Sequence, residues 1–117
     1  MVPAHSLESI LGVGMERVCF SFELVPGQED EYDRRHRAVW PELLDALREN
    51  GVRNYSIFRN GRTVIAYAEC EPDAASAFGA VGDTEVNRRW ADWFDGVIVG
   101  IADGDWQTSY KEVFHLE

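Results

Sequence analysis

The sequence predicts an α+β domain in which four antiparallel strands carry helices on one face. Three observations predict it. Stretches near both ends of the chain alternate apolar and polar residues. An Asn-Gly turn joins two further β-type runs in the middle. Two amphipathic stretches, with apolar residues three and four apart, separate these runs.

Residues 17–24 alternate, with Val18, Phe20, Phe22 and Leu24 on one face, and read as a half-buried strand closed by Pro26-Gly27. A helix begins near Gln28. Its apolar and aromatic positions are Tyr32, His36, Val39, Trp40, Leu43, Leu44 and Leu47, and Asn50-Gly51 stops it. Pro41 should kink or restart that helix, because proline lacks the N–H and clashes with the preceding turn. Residues 52–58 read as a second strand, residues 59–62 as a hairpin turn and residues 63–70 as a third strand. From Pro72 a short helical or loop segment follows. A second amphipathic helix spans residues 84–97, with Val86, Trp90, Trp93, Phe94 and Val97 on one side. Residues 100–109 form a Gly- and Asp-rich loop, and residues 110–116 alternate again as a last strand. This order is the ferredoxin-like βαββαβ arrangement. Its helices cover one face of the sheet, so a second copy of the sheet is expected on the other, as a homodimer.

The 117 residues make one domain, expected to start at Met15 and run to residue 117. Residues 1–14 lack a basic leader and are expected to be a weakly ordered extension rather than a signal peptide. A composition of 45% hydrophobic and 27% charged residues predicts a folded globule. A formal net charge of −10 argues against nucleic acid and anionic membrane surfaces and suits a neutral small molecule. No apolar run is long enough to span a bilayer. Cys19 and Cys70 stand in predicted strands without metal-ligand spacing, so reduced core thiols and a cytoplasmic location are expected.

Tyr32 and His36 stand four apart on one helix, so both side chains leave the same face. A lone helical histidine is commonly a packed or surface residue. Here Tyr32 and Trp40 flank it, and aromatic faces with phenol or indole donors suit a sugar's C–H faces and hydroxyl edges. Arg34, Arg35 and Arg37 read as ion-pair partners of Asp30, Glu31 and Asp33. An arginine beside His36 would lower its pKa and a carboxylate would raise it. Taken singly, Tyr55 reads as a strand aromatic, Trp90 and Trp93 as core, and His115 as a surface or satisfied histidine. The histidines lack metal-ligand spacing, so no metal is expected, and neither a GxSxG motif nor an evident buried carboxylate pair is present.

The blocks EYDRRHRAVWPEL, NGVRNYSIF, NRRWADW and KEVFHL, in that order, resemble the L-rhamnose mutarotase family over about residues 15–117. The resemblance implies a dimeric α+β barrel that interconverts the α and β anomers of a 6-deoxy aldose without a cofactor. It implies His36 as proton donor, and Tyr32, Tyr55 and Trp90 as sugar-binding residues. The family carries a Trp-Trp pair after an arginine in the second helix. Here Arg89 is followed by Trp90 and Ala91, which implies a larger or differently lined pocket, with Trp93 nearly a turn further on. Two other functions fit the same fold: a monooxygenase with His36 as iron ligand or base, and a non-catalytic small-molecule sensor.

Overall fold

The computed structural model describes residues 14–117. The extension expected at residues 1–14 therefore lies outside the described residues, apart from Gly14. Four strands, β1 (Glu16–Glu23), β2 (Val52–Asn60), β3 (Thr63–Cys70) and β4 (Thr108–Tyr110), form one sheet in the order β2-β3-β1-β4. Each neighbouring pair is antiparallel. Four helices accompany them: α1 (Glu29–His36), α2 (Pro41–Glu49), α3 (Ala74–Gly82) and α4 (Glu85–Trp93). This is the expected ferredoxin-like topology.

Strand β3 shows why the helices sit on one side. Val64, Ala66, Ala68 and Cys70 have no exposed surface, and the residues between them face away. The register pairs Phe20 and Ile57 with Ala66, so Val18, Phe20 and Phe22 share that face, as their alternation predicts. The opposite face carries Phe58, Ile65 and Tyr110, which are 65%, 44% and 54% exposed.

The long helix expected from Gln28 is two helices. Trp40 adopts φ −59° and ψ 130°, the extended conformation a following proline demands, and Pro41 opens α2 at its first turn. The segment after Pro72 is helical. Asp73 caps α3 by accepting from the Ser76 N–H at 2.7 Å, and Thr84 caps α4 by accepting from the Asn87 N–H at 3.2 Å.

Strand β2 runs to Asn60, two residues into the expected hairpin turn, and two other elements end well short of the sequence expectation. The second amphipathic helix ends at Trp93 rather than Val97. Gly96 takes φ 87°, and the chain then lies along the end of β1, with the Val25 N–H donating to Val97 and the Val99 N–H to Glu23. Val97 and Ile98 are thus apolar because they extend the sheet's core edge. The last strand spans Thr108–Tyr110, paired to Cys19–Ser21, instead of residues 110–116. Beyond Tyr110 the chain finds no ladder among the described residues. Val113, Phe114 and Leu116 alternate in sequence, yet they are 88%, 79% and 79% exposed. Cys70 is buried in the core as expected, but Cys19 is half-buried on the open face, opposite Tyr110 and Tyr67.

Candidate active site

A solvent-connected cavity of about 1750 Å³ lies on the helix side of the sheet. It brings together all four residues that the sequence analysis singles out: Tyr32, His36, Tyr55 and Trp90. Each arrives from a different local cause. Tyr32 and His36 share one face of α1, and their rings lie 4.2 Å apart at an interplanar angle of 30°. Tyr55 comes from β2, whose register shifts between Arg53 and Ser56, with Asn54 at φ 46°. That bulge directs Tyr55 to the helix side, where its ring meets Phe78 at 5.7 Å. Trp90 projects from α4 and meets the His36 ring edge-on at 5.5 Å.

His36 is half-buried, with Phe94 packed 5.3 Å from its ring centre. Its Nδ1 lies 3.0 Å from the Tyr32 carbonyl oxygen. A carbonyl only accepts, so Nδ1 holds the hydrogen, and Nε2 carries the lone pair when the ring is neutral. Nε2 has no hydrogen-bond partner among the described residues. Burial pulls the His36 pKa below its ordinary value; the Tyr32 carbonyl and the Asp33 charge oppose that pull without overcoming it. The imidazole is therefore mostly neutral at pH 7, with a free basic nitrogen.

The phenols are weak acids here. Tyr32 is 3% exposed, and burial, then the neighbouring Tyr55, push its pKa up. Tyr55 is 36% exposed, but that surface lines the cavity, and burial raises its phenol to about 12. Both stay protonated and able to donate hydrogen bonds, and among the described residues neither hydroxyl is already engaged.

The charged residues of α1 divide their roles. Arg34 and Arg35 both bind Glu31, at 2.9 and 2.6 Å, and hold its carboxyl down to about 2. Arg35 also donates to the Trp93 carbonyl and lies over the Trp93 ring at 4.3 Å. Asp33 departs from the expected pairing within the helix: it binds Arg59 of β2. Arg37 is exposed and makes no ion pair among the described residues.

Ala91 lines the cavity, one helical turn after Asn87, which also lines it. Trp93 does not fill the space beside Ala91. It stacks on Trp40 at 5.3 Å and 16°, and so braces α4 against the α1–α2 connection instead. Sequence reasoning missed Trp106, which lines the cavity and meets Phe22 edge-on at 4.9 Å. It stands in an aperiodic Gly- and Asp-rich loop, where only an aromatic out of place could have signalled it. His115 does not line this cavity; its Nδ1 lies 4.0 Å from a carboxylate oxygen of Glu112. No group of histidine, cysteine and acidic residues able to hold a metal occurs among the described residues.

The likeness to known proteins covers the same ground. The family model described as L-rhamnose mutarotase matches residues 17–116. An L-rhamnose mutarotase of Burkholderia orbicola is 38% identical over 104 residues, which is 88% of this chain and 100% of that protein. One from Bacteroides thetaiotaomicron is 35% identical over 104 residues, with the same shares covered. The crystal structure of an L-rhamnose mutarotase from Formosa agariphila superimposes with a TM-score of 0.73 at 31% identity, covering 87% of this chain and 99% of that one. A putative antibiotic biosynthesis monooxygenase from Nitrosomonas europaea, 11% identical with a TM-score of 0.59 over 86% of this chain and 91% of its own, shares the fold alone. The aromatic cavity around one free imidazole nitrogen and the match over nearly the whole domain lead to one assignment: this chain belongs to the L-rhamnose mutarotase family.

Proposed function

We propose that the protein interconverts the α and β anomers of L-rhamnose or a closely related 6-deoxy aldose, with His36 carrying the proton and Tyr32, Tyr55 and Trp90 holding the sugar. The observation that carries this reading is the Nε2 of His36 in an aromatic cavity beside two phenols, all three without a hydrogen-bond partner among the described residues. A pyranose presents C–H faces to rings and hydroxyls to phenols, and its neutrality suits a chain of net charge −10.

The steps require proton transfer only, so the reading calls for no cofactor or metal. Neutral Nε2 takes the proton of the anomeric hydroxyl as the C1–O5 bond breaks and C1 becomes an aldehyde. The ring oxygen takes a proton from solvent or a phenol. Rotation about C1–C2 presents the other face of the aldehyde. The C5 hydroxyl then adds to C1, its proton returns to the group that supplied it, and the His36 imidazolium returns its proton to O1. His36 thus acts as base on opening and as acid on closure, so the proton-donor role that the resemblance implies is half of its cycle.

Proton saturation transfer between the two anomeric resonances of L-rhamnose tests the reading. Transfer well above the buffer rate is expected with native protein. No acceleration with any 6-deoxy aldose would sink the proposal.

We further propose a homodimer formed by the open faces of two sheets, in the cytoplasm. Helices cover the other face, and this one leaves Phe58, Ile65 and Tyr110 exposed, while Val113, Phe114 and Leu116 are exposed in the last segment. A like face placed against it removes those side chains from water. No helix among the described residues is long and apolar enough to cross a membrane. Sedimentation equilibrium is expected to return twice the 13.3 kDa chain mass, and the Phe58→Glu variant is expected to return the single-chain mass. A native protein that sediments as one chain would overturn the dimer.

A further inference from the structure

Asp33 stands three residues before His36 and four before Arg37, so both basic side chains are its neighbours on the surface of α1. It binds neither. Its two carboxylate oxygens take a paired contact from Arg59 across the gap to β2, Nε to Oδ1 at 2.8 Å and Nη2 to Oδ2 at 2.6 Å. Arg59 is in turn oriented by its own hairpin, with Nη1 donating to the Gly61 carbonyl at 2.7 Å. The fork geometry defines the carboxylate's position in a way that a helix-surface pair of flexible side chains does not. Arg59, Asp33, Arg37, Tyr32 and His36 share the wall of a second, smaller cavity of about 390 Å³ with Ile57. His36 therefore lies between the large aromatic cavity on one side and this charged pair on the other.

We propose that Asp33 and Arg59 are a positioning pair for His36: Arg59 holds the Asp33 carboxylate beside the imidazole and also withholds most of its charge from it. The carboxylate favours a protonated ring, and the guanidinium bound to it offsets that preference. His36 is thereby kept available as a base, and still able to hold a proton between the opening and closing of a substrate. This inference rests on the role proposed above for His36, but the pair's effect on the ring does not require that role.

The groups around His36 restrict the alternatives. From α1 it meets Tyr32, Asp33 and Arg37; from β2, Tyr55 and Arg59 line the cavities it borders. From α4 and its end come Trp90 and Phe94, which do not titrate in this range. Both phenols are protonated, since burial raises them. Asp33 is the acidic group that raises the pKa of His36, and Arg59 is the cation bound to it. Removing either member should therefore move the ring's titration, and in opposite directions.

The test is the NMR titration of the His36 ring in full-length protein, read beside the pH profile of anomer exchange. Asp33→Asn removes the negative charge, so the titration should move down by roughly half a pH unit. Arg59→Gln leaves Asp33 uncompensated, so the titration should move up by a similar amount. Arg59→Lys keeps the charge and should stay close to the native value. The acid limb of anomer exchange should follow the ring in each variant. Titrations unchanged in both neutral variants, or moved in the same direction, would reduce the pair to a structural tie and overturn the proposal. Opposite shifts of the ring without anomer exchange in the native protein would uphold the pair and sink the enzymatic reading instead.

Discussion

The His36→Ala variant is expected to lose anomer exchange almost entirely, by about 10²–10⁴-fold relative to native protein, the range a positioned acid–base group contributes. Saturation transfer on L-rhamnose measures it, and a urea titration of the same variant shows whether the fold survives. The pH dependence of the native protein should agree with the position of the ring. The base form of His36 is needed to begin the reaction, and its pKa in the folded protein lies below the ordinary histidine value because burial penalises the cation. Activity should therefore be on a plateau at neutral pH and fall as pH drops through that lowered pKa. Stability should move the same way. The unfolded chain binds the proton more readily than the folded one, so the contribution is complete above the unfolded value of about 6.5 and is lost as pH falls through the folded value. A folded His36→Ala protein that still transfers saturation would place the proton carrier elsewhere.

Phe94→Ala is expected to destabilise the fold by about 3–5 kcal/mol, the usual cost of emptying a buried aromatic site. Phe94 is 1% exposed and caps the end of α4, where its ring meets Tyr32 at 5.7 Å, His36 at 5.3 Å, Trp90 at 4.9 Å and Trp93 at 5.8 Å. It belongs to the core and also forms the backing of the site. The variant should lose exchange activity even at a temperature where it stays folded. Leu24→Ala supplies the contrast. Leu24 has no exposed surface and does not line the cavity, so its loss should cost about 2–5 kcal/mol while activity of the folded fraction survives. Equal loss of activity per folded molecule in both variants would show that the site follows global stability rather than the Phe94 contact.

Much of the fold was legible where a local pattern reports burial on one face. Residues 17–24 alternate, and the structure forms β1 over Glu16–Glu23 with Val18, Phe20 and Phe22 turned toward the helices. Pro41 announced the break after α1, since its effect on the preceding residue is local sterics. Patterns failed where burial comes from a distant part of the chain. Val97 continued the spacing of α4, yet it is buried against the end of β1, whose position the helix does not encode. The alternation at the chain's end was genuine, but the described chain offers no strand to pair with residues beyond Tyr110.

The same division holds for the site. Tyr32 and His36 were legible as a pair, because four residues on a helix bring two side chains together. Tyr55 needed the bulge in β2, Trp106 needed the return of a loop over Phe22, and Asp33 chose Arg59 over its own helix neighbours. The sequence by itself determined the order of elements, the acidic character of the chain, and the helix that carries the imidazole. Only the tertiary structure decided the protonation preference of His36 and the walls around it. That preference is a balance of burial, one backbone carbonyl and one carboxylate held by a residue of another strand, and contacts between distant segments exist only once the sheet and helices have packed.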